Sequence, residues 1–179
     1  MIEYLISDLH LGHKNILEFT SRYGKFRDID HMNEVLLQNL NDTVSDADRL
    51  ILLGDICWNK KSFQLLKYFP KNVILVGGNH DVSSSHYEAY RDTGWKIVGA
   101  MQHRESILTH IPVHPHQLER RFKFNIHGHL HDNHVMYSGY EYDLLDSRDR
   151  RYLNVSCEVI DYRPKTYDQL LEHYGVATE

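Results

Sequence analysis

The chain contains the stretch Val73-Ile74-Leu75-Val76-Gly77-Gly78-Asn79-His80-Asp81. The four apolar residues predict a short buried strand. The two glycines allow a sharp turn and a close approach of the backbone to an ion. Asn79 then offers a neutral amide oxygen as a metal ligand, whereas His80 is placed to donate a proton rather than to bind. This stretch predicts a strand that ends directly at a functional site.

Four other short polar segments follow apolar runs in the same way: Asp8-Leu9-His10, Gly54-Asp55, Thr109-His110 and Gly128-His129-Leu130-His131. We call all five the ligand segments. Their carboxylates, amide oxygen and imidazoles suit divalent metals. One strand end cannot hold two metal ions, but five strand ends that converge can. The ligand segments together therefore predict a hydrolase that uses two metal ions on a phosphate ester.

Most ligand segments, taken singly, have a plainer explanation. Asp55 fits a helix cap after a tight turn, and a lone histidine at a strand end is more often structural. On extended backbone, residues two apart point to the same side. We therefore expect Asp8 and His10 to grip one ion, and His129 and His131 to project from one side. The order of all five segments, rather than any one of them, favours metal binding.

The composition, with 41% apolar and 25% charged residues among 179, predicts one globular domain over residues 1–179. The formal net charge is -5 with neutral histidines, and the densest basic cluster, residues 148–151, is interrupted by Asp149. A large nucleic-acid footprint is not expected, because such binding relies on many lysine and arginine contacts to phosphates. A mononucleotide or a short oligonucleotide is still compatible with this charge.

The cellular compartment is predicted from the cysteines and the N-terminal segment. Cys57 and Cys157 belong to no Cys-x-x-Cys pair, so both are expected to be free thiols in a reducing compartment. The N-terminal segment lacks the basic start of a signal peptide, and its apolar stretch is interrupted by Glu3 and Asp8. No apolar run approaches the ~20 residues of a membrane helix. We expect a cytoplasmic protein without a membrane partner.

Hydrophobic patterns predict the order of the elements. Strands are predicted at residues 2–7, 49–53, 73–76, 95–98, 106–109, 122–126 and 152–156. Helices are predicted at residues 14–19, 62–69, 83–91 and 168–174, and from the cap Asp30 to Leu40. These elements predict an α/β protein with one mixed sheet or two packed sheets and helices outside. The polar segment 137–151 is expected to be a surface excursion.

The ordered set Asp-x-His, Gly-Asp, Gly-Asn-His-Asp, His and Gly-His-x-His resembles the calcineurin-like metallophosphoesterase superfamily. The resemblance covers residues 8–131, and residues 7–15 further resemble small single-domain members from bacteria and phages. It implies two mixed β-sheets packed as a sandwich and flanked by helices. It also implies two divalent metal ions. Manganese is the first expectation, and iron, nickel or zinc also suit mixed nitrogen and oxygen ligands.

The resemblance implies site residues position by position. The first metal would be held by Asp8, His10, Asp55 and His131. The second would be held by Asp55, Asn79, His110 and His129, with Asp55 as the bridge. His80 would contact the substrate and protonate the leaving oxygen, and the neighbouring Asp81 either orients His80 or serves the turn. Apart from the resemblance, the positions of His13, Arg22, His114 and His116 suggest further substrate contacts. His127, directly before Gly128, is expected either to support a ligand from behind or to be packed.

Two departures narrow the expected activity. Asp55 is followed by Ile-Cys-Trp-Asn instead of leading into an Asp-Arg-Gly sequence, which argues against the serine/threonine phosphatase branch. The chain has little room for extra nuclease or capping domains, which argues against processive DNA chemistry. We expect a phosphodiesterase that acts on a nucleotide or other small phosphodiester by attack of a metal-bound hydroxide. The alternatives are a phosphomonoesterase and a non-catalytic interaction domain on the same scaffold.

Overall fold

The computed structural model describes residues 1–136 and 148–176. In these ranges the strands β1–β9 occupy Glu3–Ile6, Arg49–Leu52, Val73–Val76, Lys96–Val98, Met101–His103, Ser106–Leu108, Phe124–His127, Tyr152–Asn154 and Lys165–Thr166. The α-helices α1–α4 occupy Ile16–Phe19, Ile29–Thr43, Ser84–Asp92 and Tyr167–His173. Two 3-10 helices occupy Lys60–Tyr68 and Pro115–Leu118. Strands and helices alternate as far as β4, and strands dominate the following part.

The strands form two mixed sheets. One sheet has the order β4-β3-β2-β1-β9, in which β1 to β4 are parallel and β9 is antiparallel to β1. The other has the order β5-β6-β7-β8, in which β5 is antiparallel to β6 and the remaining pairs are parallel. β3 is buried along its whole length, as expected for an inner parallel strand. The prediction of an α/β fold with two mixed sheets and flanking helices is confirmed.

The two sheets meet where β1 and β8 end. Ser7 pairs in parallel with Ser156. The backbone N–H of Ser7 donates to the Val155 carbonyl at 2.9 Å, and the N–H of Cys157 donates to the Ser7 carbonyl at 3.1 Å. Because this pairing is parallel, β1–β4 and β6–β8 all end at the same edge. Ligands in open parallel sheets bind at such carboxyl ends.

The α2 helix shows how the sequence pattern sets the packing. Its cap is Asp28, whose side chain accepts a hydrogen bond from the backbone N–H of His31, and not Asp30 as predicted. The cap lies earlier because the extended backbone at Asp28 lets its carboxylate reach the first turn. The apolar stripe of the helix joins the main hydrophobic core through Met32, Leu36 and Leu40.

Short elements account for most differences from the prediction. The strands β5 and β9 and the 3-10 helix Pro115–Leu118 were not predicted. The helix expected over residues 62–69 is a 3-10 helix that begins at Lys60 and is capped by Asn59. Of the predicted surface excursion over residues 137–151, only residues 148–151 belong to the described part. No helix in the described ranges is long and apolar enough to cross a membrane.

Candidate metal centre

Six of the predicted ligands lie together at the common edge of the sheets. They form two groups in which one ligand atom of every residue lies within 4.8 Å of the others. Each group joins one carboxylate with two imidazoles: Asp8 with His10 and His131, and Asp55 with His110 and His129. We call them the Asp8 cluster and the Asp55 cluster. This donor set suits divalent transition metals.

Asp55 lies between the two clusters. Its Oδ2 is 3.6 Å from His10 Nε2 and 3.3 Å from His110 Nε2. Asn79 lies at the Asp55 cluster, because its Oδ1 is 2.9 Å from both His110 Nε2 and His129 Nδ1. The structure thus gathers all seven predicted ligands, and one oxygen of Asp55 faces both groups.

Unpaired polar atoms in the Asp8 cluster fit a cation. Asp8 Oδ1 and both ring nitrogens of His10 are buried and have no hydrogen-bond partner within the described part of the chain. The distance from His10 Nε2 to Asp8 Oδ1 is 3.7 Å, which is too long for a hydrogen bond. A buried polar atom left unpaired costs about 1–3 kcal/mol. A divalent ion bound between Asp8 Oδ1 and His10 Nε2 would satisfy these two atoms, so the residues fit a metal.

The two oxygens of Asp8 have different surroundings. Oδ2 accepts hydrogen bonds from the hydroxyl of Ser7, from Ser156 Oγ at 2.9 Å and from the backbone N–H of His129 at 2.9 Å. Oδ1 faces His10 without such donors. The three donors fix the carboxylate so that one oxygen stays available to an ion.

Most of the ligands have left-handed backbone, which is uncommon for residues other than glycine. The φ angles are 57°, 48°, 56°, 71° and 50° at Asp8, His10, Asp55, His129 and His131. The expectation of extended backbone at the ligand pairs is therefore wrong. The chain turns at these residues, and His129 and His131 enter different clusters. Strained conformations of this kind concentrate at functional sites.

Glycines at positions 54 and 78 let two ligand-bearing turns touch. A Cβ on Gly54 would lie 2.6 Å from Gly78 Cα and 2.6 Å from His110 Nδ1. A Cβ on Gly78 would lie 2.6 Å from the backbone nitrogen of Asp55. Neither position accepts a side chain without a shift of the backbone. The sequence predicted that Gly77 and Gly78 bring the backbone close to an ion; the structure instead shows Gly78 against the turn at Asp55, whereas a Cβ on Gly77 would meet nothing within 4 Å.

Electrostatics at the centre favour positive charge. Burial raises the pKa of Asp8, but attraction to His10 and to the nearby imidazoles of His110 and His131 outweighs burial and holds that pKa below its ordinary value. Burial lowers the pKa of His110, yet the hydrogen bond to Asp55 and the charges of Asp8 and Asp55 raise that pKa to about 9. The carboxylates thus stay ionised and attract a proton or a metal ion.

The predicted proton donor His80 lies beside the Asp55 cluster and is partly exposed. Its backbone N–H donates to Asp55 Oδ1 at 2.9 Å. Its Nε2 is 4.0 Å from Asp55 Oδ2, and 41% of its side chain is exposed. Its ring packs on Trp58 with centroids 4.8 Å apart, and the predicted substrate contact His13 stacks on Trp58 at 3.6 Å. The two histidines therefore share one aromatic surface beside the metal ligands.

Trp58 was missed in the sequence. The side chain of tryptophan offers no metal-ligand atom, so the pattern of ligand residues does not indicate Trp58. The available signal was its place three residues after Asp55, just beyond the ligand segment Gly54-Asp55. Its exposed fraction of 38% and its contacts with His13 and His80 make it part of the site.

Asp81 holds the backbone turns together. Its carboxylate accepts hydrogen bonds from the backbone N–H of Asp55 at 2.7 Å and of Gly78 at 2.9 Å, and from the hydroxyl of Tyr90 at 2.8 Å. Among the described residues, Asp81 makes no hydrogen bond to the ring of His80. Of the two roles open from the sequence, the structure supports the role in the turn.

The prediction that Arg22 clamps a phosphate oxygen is wrong. Arg22 is fully buried. Its guanidinium donates to the Glu158 carboxylate, to the Leu9 carbonyl and to the Asp8 carbonyl. These partners place the guanidinium behind the ligand segment, away from solvent. Glu158 was also missed, although an acidic residue just after a predicted strand, in Ser156-Cys157-Glu158, was the available signal.

His114 and His116 lie on the surface and not at either cluster. His114 Nδ1 accepts a hydrogen bond from the backbone N–H of His116, and His116 Nδ1 lies 2.9 Å from Glu119 Oε2. Both histidines belong to the start of the 3-10 helix Pro115–Leu118, which directs them into local contacts. His127 is fully buried and hydrogen-bonds the Gly128 carbonyl at 2.7 Å, in line with its predicted packed role.

Comparison with known proteins gives the same class as the fold and the clusters. Residues 4–176 match the model of the calcineurin-like phosphoesterases. The chain belongs to this family, whose members are phosphoesterases, and the two clusters are its candidate metal-binding groups.

Two similar proteins span nearly the whole chain. Uncharacterized protein MJ1445 of Methanocaldococcus jannaschii is 32% identical over 173 residues, which cover 94% of this chain and 89% of that protein. The crystal structure of the protein of unknown function AQ665 from Aquifex aeolicus is 25% identical, with a TM-score of 0.67 and coverage of 96% of this chain and 98% of that one. The likeness thus extends beyond the ligand segments to the C-terminal part of the chain.

Proposed function

We propose that this protein is a phosphoesterase that uses two divalent metal ions, manganese in the first place, to hydrolyse a phosphodiester of a nucleotide or another small molecule. Iron, nickel and zinc suit the same ligands. The observation that carries the proposal is the junction of the two clusters at Asp55, with the partly exposed imidazole of His80 beside it. Asp8, His10, Asp55 and His131 would hold one ion, and Asp55, Asn79, His110 and His129 the other.

The chain's own residues set up the charge of the centre. Two bound divalent ions neutralise the phosphate, lower the pKa of a bound water and align it for attack. The ligand set contains only two carboxylates, Asp8 and Asp55, so two divalent ions leave an excess of positive charge there. The other ligands are neutral when they bind. A protein of net charge -5 can in this way offer a local site for an anionic ester.

His80 is the residue that would donate a proton to the leaving oxygen. Its side chain is exposed on one side, so a bound ester can reach it. The rings of His10 and Trp58 lie 5.6 Å and 4.8 Å away between centroids and restrict its rotation. Imidazoles commonly serve as general acids at neutral pH. The partial exposure of His80 and its place beside the bridging carboxylate support this role.

A diester fits the described surroundings better than a monoester. A monoester dianion carries one more charged oxygen, which calls for a further cationic donor. Arg22, the guanidinium predicted for that purpose, is buried and committed to other partners. A phosphomonoesterase is the alternative for the same centre.

The buried thiols of Cys57 and Cys157 are both free, which supports a reducing, cytoplasmic environment.

His80→Asn tests the proposal, with His31→Asn as a control at a partly exposed histidine outside both clusters. The His80 variant should bind the same amount of manganese as wild type and lose about 10²–10⁴-fold in turnover on a diester with a poor leaving group. The loss should be smaller on bis-p-nitrophenyl phosphate, whose leaving group needs little protonation. Equal turnover of the two variants on the poor leaving group would refute the role of His80. Faster hydrolysis of p-nitrophenyl phosphate than of the diester would favour the monoesterase.

A further inference from the structure

Glu158 is a buried carboxylate that holds a predicted metal ligand from behind. It lies four residues after the end of β8, and its side chain is 0% exposed. Its Oε1 accepts a hydrogen bond from His131 Nδ1 at 2.9 Å and another from Arg22 Nε at 2.8 Å. One oxygen thus joins an imidazole of the Asp8 cluster to a buried guanidinium.

The contact with Glu158 decides which nitrogen of His131 faces the cluster. A carboxylate oxygen can only accept, so Nδ1 of His131 carries the hydrogen. The other nitrogen, Nε2, then presents its lone pair to a metal ion. Carboxylates that hold a ligating histidine in this way fix its tautomer and its ring orientation and increase its basicity.

Arg22 anchors Glu158 to the first ligand segment. Besides the bond to Glu158, its guanidinium donates to the Leu9 carbonyl at 3.0 Å and to the Asp8 carbonyl. Both side chains of the ion pair are 0% exposed. A single buried network therefore connects the backbone of Asp8 with the ring of His131, although the two residues belong to different ligand segments.

The Asp55 cluster has a different support. His110 Nδ1 bonds the backbone carbonyl of Leu53 at 2.7 Å. His129 Nδ1 lies 2.9 Å from the amide oxygen of Asn79, which is itself a predicted ligand of the same ion. Both partners are neutral. Within the described residues, the charged support from Glu158 reaches the Asp8 cluster only, so the two clusters differ in what holds their histidines.

We propose that Glu158, anchored by Arg22, is a positioning residue for the metal ion at the Asp8 cluster and gives that ion a higher affinity than it would otherwise have. The inference rests on the proposed metal centre. It assigns a role to the C-terminal part of the chain, which contains no ligand segment. Removal of the carboxylate should weaken one of the two metal sites and spare the other.

The test is a calorimetric titration of metal-free protein with Mn²⁺, in wild type, Glu158→Gln and Glu119→Gln. Glu119 is a matched control because its carboxylate also pairs with a histidine, His116, but the pair is exposed. Wild type should bind two Mn²⁺ ions, and Glu119→Gln should bind two ions with the same pair of affinities as wild type. Glu158→Gln should keep one affinity and lose about 10–100-fold in the other.

Two results of this titration would overturn the inference: unchanged Mn²⁺ affinities in Glu158→Gln, or an equal loss of affinity at both sites. Wild-type protein that binds no metal ion would refute the proposed function together with it, so the two failures are distinguishable. A second measurement needs no variant at the buried pair. In zinc-loaded wild type, long-range ¹H–¹⁵N NMR should show His131 protonated at Nδ1, and protonation at Nε2 would overturn the inference.

Discussion

Asp81→Asn removes one charge from the carboxylate that connects the turn at Asp55 with the turn at Gly78. In wild type, Oδ2 accepts the two backbone bonds, at 2.7 Å and 2.9 Å, and Oδ1 accepts from the Tyr90 hydroxyl at 2.8 Å and from the Ile56 N–H at 3.4 Å. An asparagine can keep its oxygen at the Oδ2 position. Its amide nitrogen then faces the N–H of Ile56, which loses its acceptor.

The expected cost follows from these bonds. A hydrogen bond to a charged group contributes about 1.5–3 kcal/mol and one between neutral groups about 0.5–1.5 kcal/mol. The two backbone bonds to Asp81 would each weaken by about 1 kcal/mol on this scale. The Tyr90 hydroxyl would exchange its bond to a charged oxygen for one with the neutral amide nitrogen, at a similar cost. The N–H of Ile56 adds a smaller term because its bond is long. We expect Asp81→Asn to lower the free energy of unfolding by about 2–4 kcal/mol. Asp81→Ala, which leaves buried donors without any acceptor, should cost more.

The assay is urea unfolding of metal-free protein, followed by tryptophan fluorescence, with Asp92→Asn as control. Asp92 is an exposed aspartate whose side chain pairs with Arg91, so its loss should change stability by less than about 0.5 kcal/mol. The Asp81 variant should also bind the ion of the Asp55 cluster more weakly. Wild-type stability and metal affinity combined with lower turnover would refute this reasoning and favour the alternative, in which Asp81 orients His80.

Two further predictions concern the turns and the metals. Gly54→Ala should destabilise the protein more than Gly24→Ala. Both positions have left-handed backbone, with φ of 90° and 71°, which costs about 1–2 kcal/mol for an L-residue. A Cβ at residue 54 would also lie 2.6 Å from Gly78 Cα, whereas a Cβ at residue 24 would meet nothing within 4 Å. Equal urea midpoints of the two variants would contradict this prediction. Mn²⁺ at about 100 times its Kd should stabilise the protein by about 2.7 kcal/mol per site and raise Tm by about 5–10 °C for each site that is filled. The shift should be reversed by EDTA, and an unchanged Tm would count against metal binding.

The parallel strands and the ligands next to them were predictable for physical reasons. Strands buried on both faces need continuous apolar runs, and such runs stand out in the sequence at β2 and β3. The predicted ligands stand out because few structural roles would place both carboxylates and imidazoles at the ends of several strands. The bounds of β3 agree with the prediction, and the seven predicted ligands lie together.

The geometry of the turns was not predictable in the same way. Spacing by two residues fits an extended strand, but His129 and His131 have left-handed backbone and enter separate clusters. The local pattern carries no information on this, because such a conformation is costly and persists only where the surroundings impose it. At Asp8, one of these surroundings is Ser156, 148 positions further along the chain.

The end of β8 shows what a search by residue type leaves out. β8 is parallel to β7 and ends at the same edge as the strands that carry the ligand segments. It is followed by Ser156, which donates to Asp8, and by Glu158, which accepts from His131. Serine and glutamate are common on protein surfaces. The residue types of Ser156 and Glu158 therefore do not distinguish them, in the sequence, from ordinary surface residues. Topology distinguishes them, because polar residues that follow a parallel strand at this edge must lie beside the ligands. Candidate ligands can therefore be proposed from residue chemistry alone, whereas the residues that hold them require the order and direction of the strands.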